Sequence, residues 1–225
     1  MLRRQYKAVI FDLNGTMIDD MQYHIHAWHR ILNSLGANLS LQQMKEECYG
    51  KNHELLERIF PGRFSFEEKD GMSLEKEKGY QQQFRPHLKL IDGLGDLLPS
   101  LQQQGIKMAI GSAAILFNIN FVLDGLGIRN YFDAIVSADD VLHSKPHPET
   151  FLKCAEAIFE SPKDCLVFED APKGVEAALN AGMDCVVITT LHSPEEFESY
   201  KNVVCVIENF HNDKLQKILC LKESV

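Results

Sequence analysis

The sequence predicts an α/β protein, with a parallel β-sheet covered by helices on both faces and a helical insertion near its start. From about residue 86 onward, short and continuously apolar runs alternate with helical patterns. Such runs are typical of parallel strands that are buried on both faces. Between the first apolar run and this alternation, the chain shows helical periodicity and no strand pattern. We therefore expect one sheet-based core that carries an inserted helical segment.

The predicted strands are short runs rich in Val, Ile, Leu, Ala and Phe. They cover residues 8–11, 107–111, 134–136, 165–168, 185–188 and 203–206. The predicted helices after residue 86 cover residues 93–104, 114–126, 148–159 and 172–181. Ligands of such sheets bind beyond the carboxyl ends of the strands. The residues that follow each strand are therefore the first candidates for a functional site.

The inserted segment begins with an amphipathic helix. From Asp20 to about Leu35, apolar residues such as Ile25 and Trp28 recur at three- and four-residue spacing. Helical sequence continues to about residue 83. The stretch 61–71, which begins with Pro-Gly and ends with a further glycine, predicts a loop that interrupts it.

The composition limits the classes of partner and the compartment. The 225 residues carry a net charge of −9, which disfavours a nucleic-acid partner. A few local cations would still suffice to bind a small phosphorylated metabolite. No segment is long and apolar enough to span a bilayer, so we expect no membrane contact. Six scattered cysteines without a C-x-x-C pair indicate reduced thiols in a cytoplasmic protein, which we expect to be a monomer.

Polar side chains stand at the ends of the predicted strands. Asp12 follows the first strand and Ser112 follows the second. Lys145 precedes the fourth strand, which is followed by Glu169 and Asp170. Because these strand ends meet at one edge of a parallel sheet, three carboxylates would converge there and repel one another. A lysine and a hard divalent cation would offset that repulsion, so the sequence predicts a Mg²⁺ site.

This combination of groups suits attack on phosphorus. A carboxylate such as Asp12 can form a covalent phospho-enzyme and so divide one difficult step into two. The metal and Lys145 would offset the charge of the phosphoryl group, while Ser112 and nearby backbone N–H groups would hold its oxygens. Taken singly, Ser112 or the Glu169–Asp170 pair could be a helix cap. Their joint placement at strand ends favours the functional interpretation.

Four segments resemble the haloacid dehalogenase superfamily and, within it, the β-phosphoglucomutase-like phosphatases. They read FDLNGT at 11–16, IGSA at 110–113, SKPHPETF at 144–151 and VFEDAPKGVEAA at 167–178. The first inserted helix also looks similar to that of β-phosphoglucomutase, in Tyr23-His24 followed by Ala27-Trp28. The resemblance implies a Rossmann-like core of residues 1–16 and 87–225, with a four-helix cap over residues 17–86.

The resemblance also implies roles for individual residues in a Mg²⁺-dependent phosphatase. Asp12, Asn14, Ser112 and Lys145 occupy its catalytic positions. The implied metal ligands are the side chains of Asp12, Glu169 and Asp170 and the main-chain carbonyl of Asn14. The implied substrate contacts are Gly15, Thr16, His24, Trp28, Lys51, His53, Lys76 and Ala113.

Asn14 departs from the family pattern. Family phosphatases and mutases carry a second aspartate at this position, which protonates the leaving oxygen and then activates the water or sugar hydroxyl. A carboxamide can do neither, whereas the main-chain contact to the metal is unaffected. His24 matches a histidine beside the acid–base residue of the mutase. It is either a structural histidine or a catalytic or substrate-contacting one.

Two positions of the predicted cap leave alternatives open. β-Phosphoglucomutase holds the distal phosphate of its sugar with an arginine that aligns with His53. Lys51 or His53 would bind a phosphate less firmly than a planar bidentate arginine. Lys76 matches a cap lysine that reaches the substrate of the mutase, and a solvated charge on a helix surface is the alternative.

Three functions are compatible with these features. The first is a phosphatase with a weakened or relocated acid–base group, and the second is a β-phosphoglucomutase-type isomerase of hexose phosphates. His53 in place of arginine disfavours the isomerase, whereas Tyr23-His24 and Ala27-Trp28 favour it. The third is a catalytically impaired phosphate-binding protein, against which the intact Asp12 and Lys145 argue. Asn14 itself is either natural or a substitution introduced to trap a complex.

Overall fold

The computed structural model describes residues 5–220. Residues 1–4 and 221–225, which the sequence assigns to the predicted core, lie outside the described part. The chain divides into two compact units. The first comprises the chain up to Asp19 together with Lys89 onward, and the second is Asp20–Leu88. None of the helices in residues 5–220 combines the length and the apolar character needed to cross a bilayer.

The first unit is built on a six-stranded parallel sheet. Its strands are β1 (Ala8–Phe11), β2 (Lys107–Gly111), β3 (Ala134–Val136), β4 (Cys165–Glu169), β5 (Asp184–Ile188) and β6 (Val203–Ile207). Their spatial order is β3-β2-β1-β4-β5-β6, and all neighbours pair in parallel. The α/β prediction is confirmed, and each strand bound lies within one residue of its prediction.

Within residues 5–220, five α-helices accompany this sheet. They are α5 (Leu94–Gln103), α6 (Leu116–Leu126), α7 (Glu149–Ala157), α8 (Pro172–Asn180) and α9 (Asp213–Leu219). The sequence analysis missed α9. The helix begins after Asn212, whose side chain accepts the Lys214 N–H at 3.0 Å, and it buries Leu215 and Leu219 at four-residue spacing. A seven-residue helix with two buried leucines is too short to stand out as a periodic pattern.

Apolar side chains cover both faces of the sheet. Alternate residues of β1 point to opposite faces. Ile10 joins a buried cluster with Phe151 of α7 and Val175 of α8. Phe11 stacks on Phe168 of β4, with ring centroids 5.0 Å apart. Because both faces are closed by apolar packing, the polar residues collect at the carboxyl edge of the strands.

The second unit contains four helices. They are α1 (Met21–Ser34), α2 (Leu41–Glu47), α3 (Asn52–Ile59) and α4 (Phe66–Phe84). The loop predicted for residues 61–71 is wrong in its second half, because α4 already begins at Phe66 and includes Gly71. A capping box explains the early start. Ser65 Oγ accepts the Glu68 N–H at 3.2 Å, and Glu68 Oε2 accepts the Ser65 N–H at 2.7 Å.

Removing this cap should destabilise the second unit. We expect Ser65→Ala to lower the free energy of unfolding by about 0.5–2 kcal/mol, because a helix N–H loses its acceptor. Ser34→Ala is the matched control, since the exposed Ser34 hydroxyl donates only within its own helix, to Ile31 O at 2.7 Å. Denaturant unfolding followed by circular dichroism measures both. Equal midpoints for the two variants would show that the box does not set the start of α4.

Candidate active site

Asp12 and the pair Glu169–Asp170 lie side by side at the carboxyl ends of β1 and β4. These strands are neighbours in register, with Phe11 opposite Phe168. The pairing continues beyond the strand, because the Asp12 N–H donates to Phe168 O at 2.9 Å. All three acidic residues are buried, with 6% or less of their surface exposed. The structure therefore brings together the three carboxylates that the sequence analysis singled out.

Lys145 bridges two of these carboxylates. Its Nζ donates to Asp12 Oδ1 at 2.6 Å and to Glu169 Oε1 at 2.7 Å, and it lies 4.6 Å from the centre of the Phe151 ring. Burial disfavours the charge on Lys145, but Asp12 and Glu169 outweigh it and raise the pKa of the ammonium group above its ordinary value. Lys145 is therefore protonated, and it fixes the orientation of the Asp12 carboxylate.

Glu169 and Asp170 have different surroundings. Glu169 Oε2 accepts the N–H groups of Asp170 and Ala171, both at 2.8 Å, so both of its oxygens are hydrogen-bonded within the protein. Asp170 Oδ1 accepts the Thr16 hydroxyl at 3.3 Å. Burial and the neighbouring Glu169 and Asp12 carboxylates raise the pKa of Asp170 well above its ordinary value. An added positive charge would therefore favour the ionised form of Asp170.

The donor set of this cluster fits Mg²⁺. Three carboxylates and one ammonium group leave two formal negative charges when every acid is ionised, which a divalent cation would neutralise. The oxygens are the hard ligands that Mg²⁺ prefers. Asp12, Asp170 and the main-chain carbonyl of Asn14 would hold the ion. Glu169 as a direct ligand stays a prediction, because its oxygens already accept bonds from Lys145 and two backbone N–H groups.

The loop after β1 carries Asn14, Gly15 and Thr16. It is a tight turn in which Gly15 N donates to Ile18 O at 2.8 Å. Gly15 has φ of 77°, a backbone conformation that favours glycine. Its carbonyl accepts the Thr190 hydroxyl at 2.6 Å, which ties the loop to the segment after β5. These contacts fix Asn14 two residues beyond Asp12.

Ser112 and Ala113 follow β2 at the same edge of the sheet. The Ser112 N–H donates to Val136 O at 3.0 Å, and the buried Ser112 hydroxyl accepts the Ala114 N–H at 3.1 Å. The hydroxyl therefore organises the turn that leads into α6. Ser112 does not cap α6, which begins after Ile115 and has no side-chain cap. Its role toward a phosphoryl group stays a prediction.

In the second unit, a buried polar cluster surrounds His24. Lys76 Nζ lies 2.6 Å from His24 Nδ1 and donates to Glu77 Oε1 at 2.9 Å. His24 Nε2 lies 3.2 Å from Asp20 Oδ2, which also accepts the Tyr80 hydroxyl. Lys76 is 3% exposed, so the alternative of a solvated helix charge is wrong. The buried ion pair with Glu77 compensates the desolvation of its ammonium group.

These contacts define the tautomer of His24. The Lys76 ammonium group can only donate, so Nδ1 accepts and Nε2 carries the proton toward Asp20. Burial disfavours the charge on Glu77, but the Lys76 ammonium group and the hydrogen bond from Asn52 favour it, and the pKa of that carboxyl is lowered. Both ring nitrogens of His24 are thus bonded within the second unit. To protonate a leaving group, His24 would have to give up one of these contacts.

The other predicted contacts of the second unit are more dispersed. Trp28 is buried, with its ring centre 5.5 Å from Lys76 Nζ. Lys51 precedes α3, and its N–H donates to Glu54 Oε2 at 3.0 Å. His53 Nε2 lies 2.8 Å from Asp70 Oδ1, and this acid competes with a phosphate for the ring.

Sequence reasoning missed four members of the His24 cluster. They are Asp20, Asn52, Glu77 and Tyr80. Two of them left a signal, since Asp20 stands one helical turn before His24 and Tyr80 one turn after Lys76. Asn52 left none, because its side chain reaches Glu77 Oε1, at 2.9 Å, from a different helix.

Comparison with known proteins places these features in a family context. The family described as haloacid dehalogenase-like hydrolase matches residues 9–188. The fructose-1-phosphate phosphatase YqaB of Escherichia coli is 32% identical over 187 residues, which are 83% of this chain and 98% of that protein. The β-phosphoglucomutase of Bacillus subtilis is 34% identical over 189 residues, which are 80% of this chain and 82% of that protein. The crystal structure of β-phosphoglucomutase from Clostridium difficile matches with a TM-score of 0.81 and 29% identity. The match covers 96% of this chain and 98% of that protein.

The packing of α8 against Glu169 offers a test of the cluster. A Cβ at Gly174 would lie 1.7 Å from Glu169 Oε1, so Gly174→Ala must displace this carboxylate and its bond to Lys145. We expect a loss of about 1–3 kcal/mol in the free energy of unfolding, together with weaker Mg²⁺ binding. Denaturant unfolding and calorimetric titration with Mg²⁺ measure the two effects.

Gly95→Ala is the matched control within α5. The nearest atom to its added Cβ is Leu90 Cδ1 at 3.9 Å, so the substitution should be neutral or stabilising by about 0.5–1 kcal/mol. If both glycine variants behaved alike, the position of Glu169 would not matter to stability or to metal binding.

Proposed function

Because the chain belongs to the haloacid dehalogenase-like hydrolase family, we propose that it is a Mg²⁺-dependent phosphatase of small phosphorylated sugars that works through a phosphorylated Asp12. The family match and the similarity to β-phosphoglucomutase confirm the resemblance seen in the sequence. The observation that carries the proposal is the bridge from Lys145 to Asp12 and Glu169, with Asp170 beside them. The cysteines of the chain are free thiols, as expected for a protein of the reducing cytoplasm.

In the first step, a carboxylate oxygen of Asp12 forms a bond to phosphorus. The bond from phosphorus to the leaving oxygen breaks, and that oxygen takes up a proton. Lys145 holds Asp12 in one orientation and offsets part of the negative charge of the phosphoryl group. Bound Mg²⁺ would supply further charge neutralisation at the phosphoryl oxygens. Glu169 contributes by holding Lys145 from the other side.

In the second step, water attacks the phosphorus of phosphorylated Asp12. The bond between phosphorus and the Asp12 oxygen breaks, inorganic phosphate leaves, and a base takes the proton of the attacking water. Asn14 stands where the family pattern has an acid–base aspartate, and a carboxamide cannot exchange this proton. The proton donor and acceptor of this chain must therefore be the substrate, water or another side chain.

A mutase remains the second candidate function. The similarity to the β-phosphoglucomutase of Bacillus subtilis and the match at Tyr23-His24 and Ala27-Trp28 favour it. Its first step is the same, but a sugar hydroxyl replaces water in the second step. The product separates the two functions, because a phosphatase releases inorganic phosphate and a mutase returns an isomeric sugar phosphate.

Loss of the Asp12 carboxylate should abolish turnover. We expect Asp12→Ala to lower Mg²⁺-dependent phosphate release by at least about a thousandfold, because no other side chain can take over the nucleophile. A panel of sugar phosphates and acyl phosphates is the substrate set. Asp124→Ala is the control, since Asp124 is an exposed acid that pairs with Arg129 at 2.8 Å. Residual activity of Asp12→Ala near the wild-type level would rule out the proposed mechanism.

The residue at position 14 should decide the preference among leaving groups. Alkoxides of sugars leave poorly and need a proton donor, which is worth about a hundredfold to ten-thousandfold, whereas acyl phosphates need it less. Unless His24 supplies that proton to sugar substrates, we therefore expect wild type to act faster on acyl phosphates than on sugar phosphates. Asn14→Asp should raise activity on sugar phosphates and leave that on acyl phosphates nearly unchanged, as measured by kcat/KM on both classes.

The variant His24→Ala tests whether His24 supplies the missing proton. If it does, activity on sugar phosphates falls selectively, while the control His26→Ala, at an exposed position of α1, changes nothing. If Asn14→Asp gains nothing and His24→Ala loses nothing on any substrate, the missing aspartate has no kinetic meaning here, and a phosphate-binding protein becomes the favoured function. Intact-mass analysis must accompany the assay, because deamidation of the Asn14-Gly15 pair would create aspartate in part of the sample.

A further inference from the structure

A second group of metal-ligating side chains lies on the segment that carries Lys145. His143, His147 and Glu149 each offer one ligand atom, and these atoms lie within 4.8 Å of one another. The centroids of the two imidazole rings are 4.5 Å apart, and the rings are tilted by 35°. The nitrogens come from side chains four residues apart on one short turn, so a single ion could reach both.

We propose that His143, His147 and Glu149 bind a divalent transition-metal ion of the zinc class, at a site separate from the carboxylates around Asp12. Two imidazoles and one carboxylate form a ligand set that Zn²⁺ takes in proteins when water completes the coordination. Mg²⁺ prefers oxygen ligands, so the two imidazole nitrogens select against it. The two metals would therefore occupy different sites on the same chain.

Backbone contacts arrange the turn and the Glu149 carboxylate before any ion binds. Glu149 is the first residue of α7, and its carboxylate accepts the N–H groups of Leu142 at 3.0 Å and His143 at 2.9 Å. The His147 N–H donates to Ser144 O at 2.9 Å, which closes the turn between the histidines. The backbone of the turn therefore needs little further ordering on binding, and this lowers the entropic cost of binding.

The contacts that an ion would replace are weak or solvent-exposed. Glu149 N–H reaches His147 Nδ1 only at 3.3 Å, which is long for a hydrogen bond. His143 Nδ1 lies 3.0 Å from Glu149 Oε2, and the His143 side chain is 62% exposed. Lys153 pairs with the other carboxylate oxygen, Oε1, at 3.2 Å. The ion would therefore take the Oε2 side and replace the contact from His143 Nδ1.

An ion bound to both histidines would cross-link the two ends of the segment Ser144, Lys145 and Pro146. This segment places Lys145 Nζ between Asp12 and Glu169. Because the ion binds only the arranged turn, it should stabilise the folded state by mass action. The bound ion would thus add to the stability of the segment that holds Lys145.

Calorimetric titration with ZnCl₂, in saturating Mg²⁺, tests the site on the whole chain. We expect Zn²⁺ binding in wild type that weakens by at least about tenfold in His147→Ala, since one of two imidazoles is lost. His192→Ala is the matched control, because His192 pairs with a single carboxylate, Glu196, at 2.9 Å and should leave the affinity unchanged. Thermal unfolding should show a Zn²⁺-dependent rise in Tm in wild type and in His192→Ala that is lost in His147→Ala.

Zn²⁺ bound elsewhere on the chain would give the same signal in all three proteins, so the difference between them is the measure of this site. Equal affinity and equal stabilisation in wild type and His147→Ala would overturn the proposal. Displacement of Zn²⁺ by a comparable concentration of Mg²⁺ would overturn it as well, because imidazole ligands should discriminate between the two ions. The outcome does not depend on phosphatase activity, so it stands or falls apart from the proposed function.

Discussion

The buried ammonium group of Lys145 is the contact on which the candidate site depends. It lies within 2.7 Å of carboxylate oxygens from two strand ends, at Asp12 and Glu169. An unpaired carboxylate buried there would cost several kcal/mol. The lysine can bridge both because β1 and β4 are neighbours in register. The order of strands in the sheet therefore decides which acids can share one cation.

The same arrangement leaves the cluster short of positive charge. One lysine faces three acids, and the consequence is visible at Asp170, whose pKa is raised by burial and by its acidic neighbours. Replacing such a buried pair by apolar groups is often neutral or stabilising for a fold, so packing alone does not account for it. The electrostatic repulsion within such a cluster is relieved when a divalent cation binds. A cluster of this kind suits phosphoryl transfer with a divalent metal.

The sheet was predictable from the sequence because its strands are continuously apolar, as burial on both faces demands. Asp12, Glu169 and Asp170 could be found because strand ends gather at one edge of a parallel sheet. Lys145 lies instead on the turn before α7. The start of α4 was mispredicted because Gly71 and the Pro-Gly pair outweighed the capping box at Ser65. The contact of Lys76 with His24 could not be predicted, because His24 lies on a different helix. The contact with Glu77, the next residue in the chain, forms only because both side chains are buried together.

The central claim is that Asp12 becomes phosphorylated while Lys145 and a divalent cation balance the charge. Rapid acid quenching of the protein with Mg²⁺ and acetyl phosphate, followed by peptide mass spectrometry, measures this directly. The account predicts one added phosphoryl group on the peptide that contains Asp12, dependent on Mg²⁺ and missing from Asp12→Ala. Continued phosphate release with the phosphoryl group on another residue, or with Asp12→Ala as active as wild type, would contradict it.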